Sequence, residues 1–472
     1  MRKHERDYGV SSSIANKHKT DENPKEVRPT LPKSKHKHAR DSGDSSSIAK
    51  KKLKTEVEVS SSGEGNPLAC LPPDVSFMIL DKLFEPTDHL SFARVCKDWC
   101  SISRNYNIAT QRWHKKGKLL PLFLVSTESE STGKTTNHEL EAYNVSSGKR
   151  CYDNIHFPVT HGKRCCGSSH GWLAILDIEG ICLSITLVHP FQKSVEAIKL
   201  PLLDFMTTKS LQYYDINHLK NTYQEYIRKV ILSSDPILNR DNYVVVVLYG
   251  YGGSKLAFIK GGQQRWTYPD RRQSCLKDAI FYRNQVYAVG GGDGNEKILS
   301  FDVNSCNKPS KPPKANQRTP NNVLKKCAAS SYLVESVEGD HLWHVRRLVS
   351  YSRRADKYIE RFMVYKVAFE DKDGSVVEQV EVQSIGDETL FVGASHSIAI
   401  LASNFPGCKP NSIYYATEEP YCFGDPDHKT YHISSLDDGT ITEYQQNLRR
   451  HPSLHLGIPC GVWILPMFKG LF

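Results

Sequence analysis

The chain has 472 residues, 39% hydrophobic and 10% aromatic, which is enough for one large domain or two to three ordinary ones. Half of its formal charge of +10 lies in residues 1–65, so the remainder is weakly basic, which argues against nucleic-acid binding by a folded body. The thirteen cysteines are irregularly spaced without a C-x-x-C pair, which argues against a zinc module and favours free thiols in a reducing compartment.

No membrane segment is expected. The N-terminal residues contain no apolar stretch of the kind found in secretory signals. The longest apolar run, YVVVVLY at residues 243–249, is far too short to cross a bilayer. We therefore expect a soluble intracellular protein without a membrane partner.

Residues 1–66 are predicted to form a disordered, basic tail. The first 65 residues are rich in Ser, Lys, His, Asp and Glu, with one Tyr and no Phe or Trp. Such a segment cannot bury enough apolar area to offset the entropy lost on ordering.

Two basic clusters in this tail resemble a bipartite nuclear import signal. One cluster is KSKHKHAR at residues 33–40. The other consists of Lys50, Lys51, Lys52 and Lys54. In nuclear import, an acidic groove of the import receptor binds such cations on an extended chain. The alternative is that the lysines form an ordinary solvated run of charge in the tail. We expect the nucleus as the location, with the cytoplasm as a second one.

A small all-α module is predicted over residues 67–113. Pro72 and Pro73, followed by Asp74, favour a helix start. Apolar residues then recur at helical spacing, namely Val75, Met78, Ile79 and Leu83. EPTD at residues 85–88 is expected to end this helix, with Asp88 capping the next one.

This module is too small to hide all of its apolar side chains. Some of Leu71, Ile79, Leu83 and Trp99 should therefore be covered by another surface, either a partner or the rest of the chain.

The same stretch closely resembles an F-box. The Leu71-Pro72 opening, Asp74, the Ile79-Leu80 pair with Leu83, and Val95-Cys96 followed by Trp99 match the order and spacing of that motif. The resemblance implies docking on a Skp-type adaptor, which binds a cullin–RING ubiquitin ligase, through an amphipathic helix pair. The adaptor-binding residues that it implies are Leu71, Pro72, Ile79, Leu83, Val95, Cys96 and Trp99. The alternative is a helical hairpin that caps the next domain.

Residues 114–472 are predicted to form a large all-β domain. Many short runs rich in Val, Ile, Tyr and Phe are separated by Gly, Asn, Asp and Pro, and AIFYRNQVYAVGG at residues 279–291 reads as a hairpin with Arg-Asn at its turn. Ten or more such strands favour a sandwich, a barrel or a propeller, and the length suits a propeller.

One motif in this domain raises a catalytic alternative. Residues 167–171, GSSHG, fit the G-x-S-x-G elbow of serine hydrolases, with Ser169 as the nucleophile. That elbow requires a helix after the serine. Here, WLAILDIEGICLSITLVHP indicates a β-hairpin instead, so we expect no catalytic residue. His341 and His344 should point to opposite faces of a strand, which argues against a shared metal site.

The β domain resembles the KIB-type β-propeller that follows the F-box in many plant proteins. Its landmarks occur in order, among them GSSHGWLAILD, KLAFIKGGQQRWT, DAIFYRNQVYAV, SIGDETLFVGASHSIAI and GVWILP. Three features depart from the family pattern: His189 in place of an Asn, Val380-Glu381 in place of a Trp, and an inserted loop NKPSKPPKANQRTPNN.

Together these resemblances imply the substrate-recognition subunit of an SCF-type (Skp–cullin–F-box) ubiquitin ligase. The F-box would bind the adaptor and the propeller would bind a target protein of unknown identity. The alternative is a non-degradative protein that occludes a regulatory kinase or another partner. Neither a cofactor nor a metal is implied.

Overall fold

The computed structural model of the chain describes nineteen segments, within which all structural statements fall: residues 71–83, 86–110, 119–129, 137–146, 150–151, 163–179, 182–192, 195–203, 226–250, 254–269, 275–291, 295–303, 315–317, 324–325, 328–354, 356–370, 376–416, 431–444 and 461–466. The predicted disordered tail and its lysine clusters lie outside the described residues, as does most of the inserted loop.

Three helices form the N-terminal module: α1 (Pro73–Lys82), α2 (Pro86–Ala93) and α3 (Lys97–Thr110). As predicted, α1 begins at the proline pair, with Pro72 as its N-cap residue. The prediction for α2 is wrong, because the helix begins at Pro86 and Asp88 lies within its first turn. The fixed φ of proline suits the first helical position, so EPTD starts a helix rather than only ending one.

The module has a small core of its own. Leu80, Phe92 and Tyr106 are buried between the three helices. The Tyr106 hydroxyl donates a hydrogen bond to Asp81 Oδ1 at 2.5 Å, and the ring of Phe92 stacks on Trp99 with centroids 4.3 Å apart. The hydrogen bond fixes α1 against α3, and the ring contact fixes α2 against α3.

The described strands form six sheets, here called blades 1 to 6. Blade 1 contains β1 (Leu122–Ser129), β2 (Asn137–Asn144), β3 (Arg150–Cys151) and the C-terminal β25 (Val462–Ile464). Blade 2 contains β4 (Arg164–Ser169), β5 (Trp172–Glu179), β6 (Cys182–Val188) and β7 (Ile198–Lys199). Blade 3 contains β8 (Ile227–Leu232), β9 (Val244–Tyr249) and β10 (Lys255–Lys260).

The remaining blades follow in chain order. Blade 4 contains β11 (Leu276–Tyr282), β12 (Gln285–Gly290), β13 (Asn295–Phe301), β14 (Ala315–Gln317) and β15 (Leu324–Lys325). Blade 5 contains β16 (Ser330–Glu335), β17 (Leu342–Ser352), β18 (Lys357–Phe369) and β19 (Val376–Val382). Blade 6 contains β20 (Glu388–Val392), β21 (Ile398–Leu401), β22 (Ser412–Ala416), β23 (Tyr431–Ser435) and β24 (Ile441–Tyr444).

Successive blades pack side by side and close into a ring. Apolar clusters fill the spaces between neighbouring blades, for example between blades 2 and 3 and between blades 5 and 6. The ring closes because β25, from the C-terminal end, pairs antiparallel with β1. Trp463 on β25 is fully buried against Phe391 of blade 6 and donates a hydrogen bond to Val392 O at 3.0 Å. This arrangement is the predicted β-propeller.

Tight hairpins follow the local sequence signals. Arg283 and Asn284, with φ of 46° and 61°, form the turn between β11 and β12, as predicted. His170 and Gly171, with φ of 53° and 81°, join β4 to β5 in the same way. Two consecutive residues with positive φ match the right-handed twist of the flanking strands.

Among the described residues, no helix is both long enough and apolar enough to span a bilayer.

Candidate functional site

The helical module carries large apolar side chains that its core does not cover. Met78 on α1 and Ile108 on α3 are 67% and 68% exposed. Val75, one turn before Met78, and Val95, in the connection between α2 and α3, are also exposed. Because isolated small domains tolerate little exposed apolar surface, these side chains mark a candidate partner-binding surface. We call Val75, Met78, Val95 and Ile108 the exposed apolar set.

The predicted adaptor-binding residues divide into two groups. In the first group, Pro72 and Val95 are exposed, and Leu71 and Cys96 are half-buried. Cys96 Sγ accepts a hydrogen bond from the Trp99 backbone N–H at 3.5 Å, at the start of α3. These four side chains flank helix starts and remain accessible to a partner.

The second group belongs to the packing of the module itself. Ile79, Leu83 and Trp99 are half-buried against the Leu80, Phe92 and Tyr106 core. Each of them is thus covered partly by its own module and presents only part of its surface outward.

Sequence reasoning left Val75, Met78 and Ile108 out of the predicted adaptor surface. Val75 and Met78 were recognisable as members of the α1 stripe by their three-residue spacing. Their outward direction depends on where α3 packs, which the spacing alone does not give. Ile108 follows the predicted motif and had no comparable signal.

The helices also contact the propeller. Leu90 on α2 packs against the apolar cluster that includes Leu122 of blade 1, with Leu173 and Phe191 of blade 2. This contact agrees with the alternative interpretation, in which the helices cap the propeller, for the side of α2 that carries Leu90. It leaves the exposed apolar set uncovered by the described residues.

The G-x-S-x-G segment has a structural place in the propeller. Gly167, Ser168 and Ser169 lie on β4, and the His170-Gly171 turn leads directly into β5. The hairpin predicted after Trp172 is confirmed, because β5 pairs antiparallel with β6. A side chain at residue 167 would collide with the backbone oxygen of Val230 on β8. The Ser168 hydroxyl donates a hydrogen bond to Trp463 O at 2.7 Å, joining blades 2 and 1. The motif thus reflects close packing of neighbouring blades.

Charged residues are buried between blades 3 and 4. Lys229 on β8 pairs with Asp278 on β11, and both side chains are almost fully buried. The second carboxylate oxygen of Asp278 accepts a hydrogen bond from the Leu333 N–H of blade 5 at 2.8 Å. Both carboxylate oxygens of Asp278 therefore have hydrogen-bond partners, which offsets part of the cost of burying the ion pair.

A second buried carboxylate, Glu296, joins blades 4 and 5. It accepts hydrogen bonds from Lys277 Nζ at 2.7 Å, the Ser331 hydroxyl at 2.8 Å and Arg346 Nε at 2.9 Å. Burial acts to raise the pKa of Glu296, but His344 and Lys277 outweigh it and hold that pKa far below its usual range. The group is therefore a permanent anion with a structural role.

Blades 5 and 6 share two further carboxylates. Glu388 accepts hydrogen bonds from Trp343 Nε1 at 2.6 Å and the Val337 N–H at 3.1 Å, and burial raises its pKa. Glu360 binds Arg347 and accepts a hydrogen bond from the Tyr415 hydroxyl at 2.6 Å. The Glu388 bonds and the Glu360–Tyr415 bond thus join blade 5 to blade 6.

The two histidines considered as metal ligands have separate surroundings. His341 Nδ1 lies 2.5 Å from Asp340 Oδ1, whereas His344 Nδ1 lies 2.7 Å from Gln379 Nε2. Within the described segments, no group of three or more His, Cys, Asp or Glu side chains is arranged to hold a metal ion.

Two departures from the family pattern can be placed. His189 is buried beside Trp172 and Phe191, and burial lowers its pKa, so it is a neutral packing residue. Val380 is exposed on β19, at the outer edge of blade 5.

Comparison with known proteins relates both parts of the chain to described families. Residues 68–108 match the F-box-like family model, and residues 142–442 match the KIB1-4 beta-propeller model. A relative from Arabidopsis thaliana is 23% identical over 366 residues, which are 74% of this chain and 88% of the relative.

Two further Arabidopsis thaliana relatives are named F-box proteins. One is 27% identical over 289 residues, covering 58% of this chain and 81% of the relative. The other is 22% identical over 382 residues, covering 79% and 92%. Since the propeller model matches well over half of its length, the chain belongs to the KIB1-4 beta-propeller family, with an F-box-like domain ahead of the propeller.

Proposed function

We propose that the chain is the substrate-recognition subunit of an SCF-type ubiquitin ligase. Its F-box-like module binds a Skp-type adaptor and through it a cullin–RING ligase, and its propeller binds the target protein. The observation that carries this proposal is the exposed apolar set on a module that matches the F-box-like model. The chain itself supplies binding surfaces, and ubiquitin transfer is left to the other subunits.

The packing of the module supports a surface that is ready to bind. The three helices are fixed by their own core and by the Tyr106–Asp81 hydrogen bond before any partner arrives. Exposed side chains on a pre-formed surface lose little conformational freedom on binding, which favours affinity. Pro72 lies at the start of α1, and Val95 lies in the short connection between α2 and α3.

Affinity purification tests the proposal. The double variant Leu71→Ala, Pro72→Ala changes the start of the module, outside the apolar clusters of the propeller. Truncating anchors in an interface costs about 1 to 4 kcal/mol, a tenfold to several-hundredfold loss of affinity. We expect adaptor and cullin to be lost from the purified complex while bound target proteins and the melting temperature of the propeller are kept.

Co-purification of adaptor and cullin with the variant at the wild-type level would contradict the proposed role of these two residues. Absence of adaptor from the wild-type complex would instead favour a non-degradative binding protein that occludes its partner.

We propose, in addition, import into the nucleus through the basic clusters of the tail. The support is the charge density of the sequence alone. Replacing Lys50, Lys51, Lys52 and Lys54 with Ala should move a fluorescent fusion toward the cytoplasm, with replacement of the KSKHKHAR cations as the matched comparison. An unchanged nuclear fraction with both clusters replaced would contradict the proposal.

A further inference from the structure

Blade 5 contains two strands that extend beyond its sheet. Strands β17 and β18 have 11 and 13 residues, whereas every other described strand has at most eight. β16 pairs with β17 only as far as Arg347, and β19 pairs with β18 only from Val364 onward. Residues 348–352 and 357–361 therefore pair with each other alone among the described strands. We call this two-stranded extension, with its connecting turn, the blade-5 ribbon.

The ribbon exposes aromatic and aliphatic side chains. Tyr351 and Tyr358 face each other across the two strands, with ring centroids 5.2 Å apart, and are 51% and 61% exposed. Ile359, next to Tyr358, is exposed on the other face of the ribbon. On soluble proteins, exposed apolar side chains that cluster on one element commonly mark a surface that a partner covers.

The same element is cationic. Arg353, Arg354, Lys357 and Arg361 are all exposed. Of its two described acids, Asp356 accepts a hydrogen bond from the Tyr351 hydroxyl, and Glu360 is bound by Arg347 and Tyr415. The four exposed cations thus outnumber the acids, and both acids already have partners within the propeller.

The base of the ribbon is rigid. Phe362 is buried in the cluster between blades 5 and 6, and its ring contacts Tyr415 at a centroid distance of 4.7 Å. The contacts of Glu360 with Arg347 and Tyr415 add charge-assisted hydrogen bonds at the same level. The ribbon is therefore held in place at its base, and its exposed side chains are presented in a fixed direction.

The turn of the blade-5 ribbon lies on the face of the propeller opposite to the end at which β1 begins. After the helices the chain enters β1 at Leu122, which pairs with Ile464, the last residue of β25. This end of blade 1 corresponds to the end of blade 2 at which the hairpin between β4 and β5 turns. Leu90 of α2 packs against the apolar cluster that includes Leu122 at this end of blade 1. The turn between β17 and β18 lies at the other end, because β17 runs antiparallel to β16 and starts after the first hairpin turn of blade 5.

We propose that the blade-5 ribbon binds an acidic, extended segment of the target protein. Four exposed cations with satisfied acidic neighbours are complementary to carboxylates, and exposed Tyr and Arg side chains are the types that dominate binding energy at interfaces. The strand edges beyond β16 and β19 can accept an added strand through main-chain hydrogen bonds. The proposal rests on the proposed function only in identifying the bound protein as a ubiquitination target.

Binding to peptides of defined charge tests the ribbon without any adaptor. The probes are fluorescent 15-residue peptides of equal aromatic content whose Asp and Glu content increases stepwise, together with a matched basic series and a duplex DNA. The full chain is compared with Tyr351→Ser, Tyr358→Ser and with the charge-reversal variant Arg353→Glu, Arg354→Glu, Lys357→Glu. The matched control is Leu238→Ser, Arg240→Glu, which alters one exposed apolar and one exposed cationic residue between β8 and β9.

We expect affinity to rise with acidic content, to fall at least tenfold in both ribbon variants, and to be unchanged in the control. Because the substituted side chains are exposed, all variants should melt like the wild type. Three results with the peptides would each overturn the proposal: no binding to acidic peptides, equal binding to the basic series, or undiminished binding by the charge-reversal variant. Tighter binding to duplex DNA would overturn it in favour of a nucleic-acid-binding ribbon. Adaptor co-purification is measured separately, so a failure here is distinct from a failure of the proposed function.

Discussion

The helical module and the propeller differ in how far their own residues cover their apolar and charged side chains. The module buries only Leu80, Phe92 and Tyr106 fully in its apolar core, and it leaves the exposed apolar set uncovered. The propeller buries apolar clusters between all neighbouring blades and even encloses charged residues such as Lys229 and Glu296 with their partners.

The contrast indicates where each part depends on other molecules. A ring closed by β25 is complete within its own chain, and the buried carboxylates of Asp278 and Glu296 accept hydrogen bonds from residues of an adjacent blade. A three-helix module of this size gains stability by covering its exposed apolar side chains with a partner. Substitutions in the propeller should therefore act on folding, and substitutions on the module surface should act on binding.

The largest effect is expected from breaking the ion pair between blades 3 and 4. Lys229→Met leaves Asp278 buried without its cation, which costs about 3–5 kcal/mol of unfolding free energy. Urea unfolding followed by tryptophan fluorescence measures this loss. The control is Lys366→Met, which removes an exposed lysine from β18 and should change the unfolding free energy little. Equal effects of the two variants would contradict the structural role of the pair.

Next in size is a core substitution in the helical module. Leu80 is fully buried, so Leu80→Ala should cost about 2–5 kcal/mol locally. Hydrogen exchange should show faster exchange in α1 and α3, with unchanged protection in the inner strands of blades 3 to 5. Val75→Ala is the control, because Val75 on the same helix is exposed. Loss of protection throughout the propeller would show that the two parts fold as one cooperative unit.

A smaller effect is expected from pH. Loss of hydration on burial lowers the pKa of His396 from 6.5 to about 3, and the charges of Lys229 and His170 act in the same direction. Between these two values the unfolded chain binds a proton at this side chain and the folded chain does not. Unfolding free energy therefore decreases as pH falls below 6.5, by up to about 1.4 kcal/mol per pH unit for this group.

The variant His396→Asn should reduce that pH slope while leaving stability at pH 8 nearly unchanged. The measurement is a series of urea unfolding curves between pH 8 and 5. An unchanged slope in the variant would show that His396 is protonated as easily in the folded state as in the unfolded one.

Features with local signals could be predicted from the sequence. The hairpin at Arg283-Asn284 and the hairpin after Trp172 follow from turn residues between β-rich runs. The start of α1 follows from its prolines. Each of these depends on residues within a few positions of one another, so tertiary contacts do not alter them.

Features that depend on distant residues could not be predicted in this way. The pairing of β25 with β1 joins segments more than 300 positions apart, and Lys229 and Asp278 look like surface charges in their local sequence. In the candidate site, Ile79 and Met78 are neighbours in one helix, yet Ile79 packs on the core and Met78 points outward. Only the position of α3 decides between them.

The central claim is that the exposed apolar set binds a Skp-type adaptor, and titration of purified adaptor into purified chain tests it most directly. The variant Val75→Asp, Met78→Asp places two charges on the exposed side of α1, with Leu238→Asp on blade 3 as the control. Loss of two central anchors predicts a dissociation constant raised about 100-fold, at an unchanged melting temperature, with wild-type affinity in the control. Wild-type affinity in the α1 variant would contradict the claim and leave the exposed apolar set without the role assigned to it.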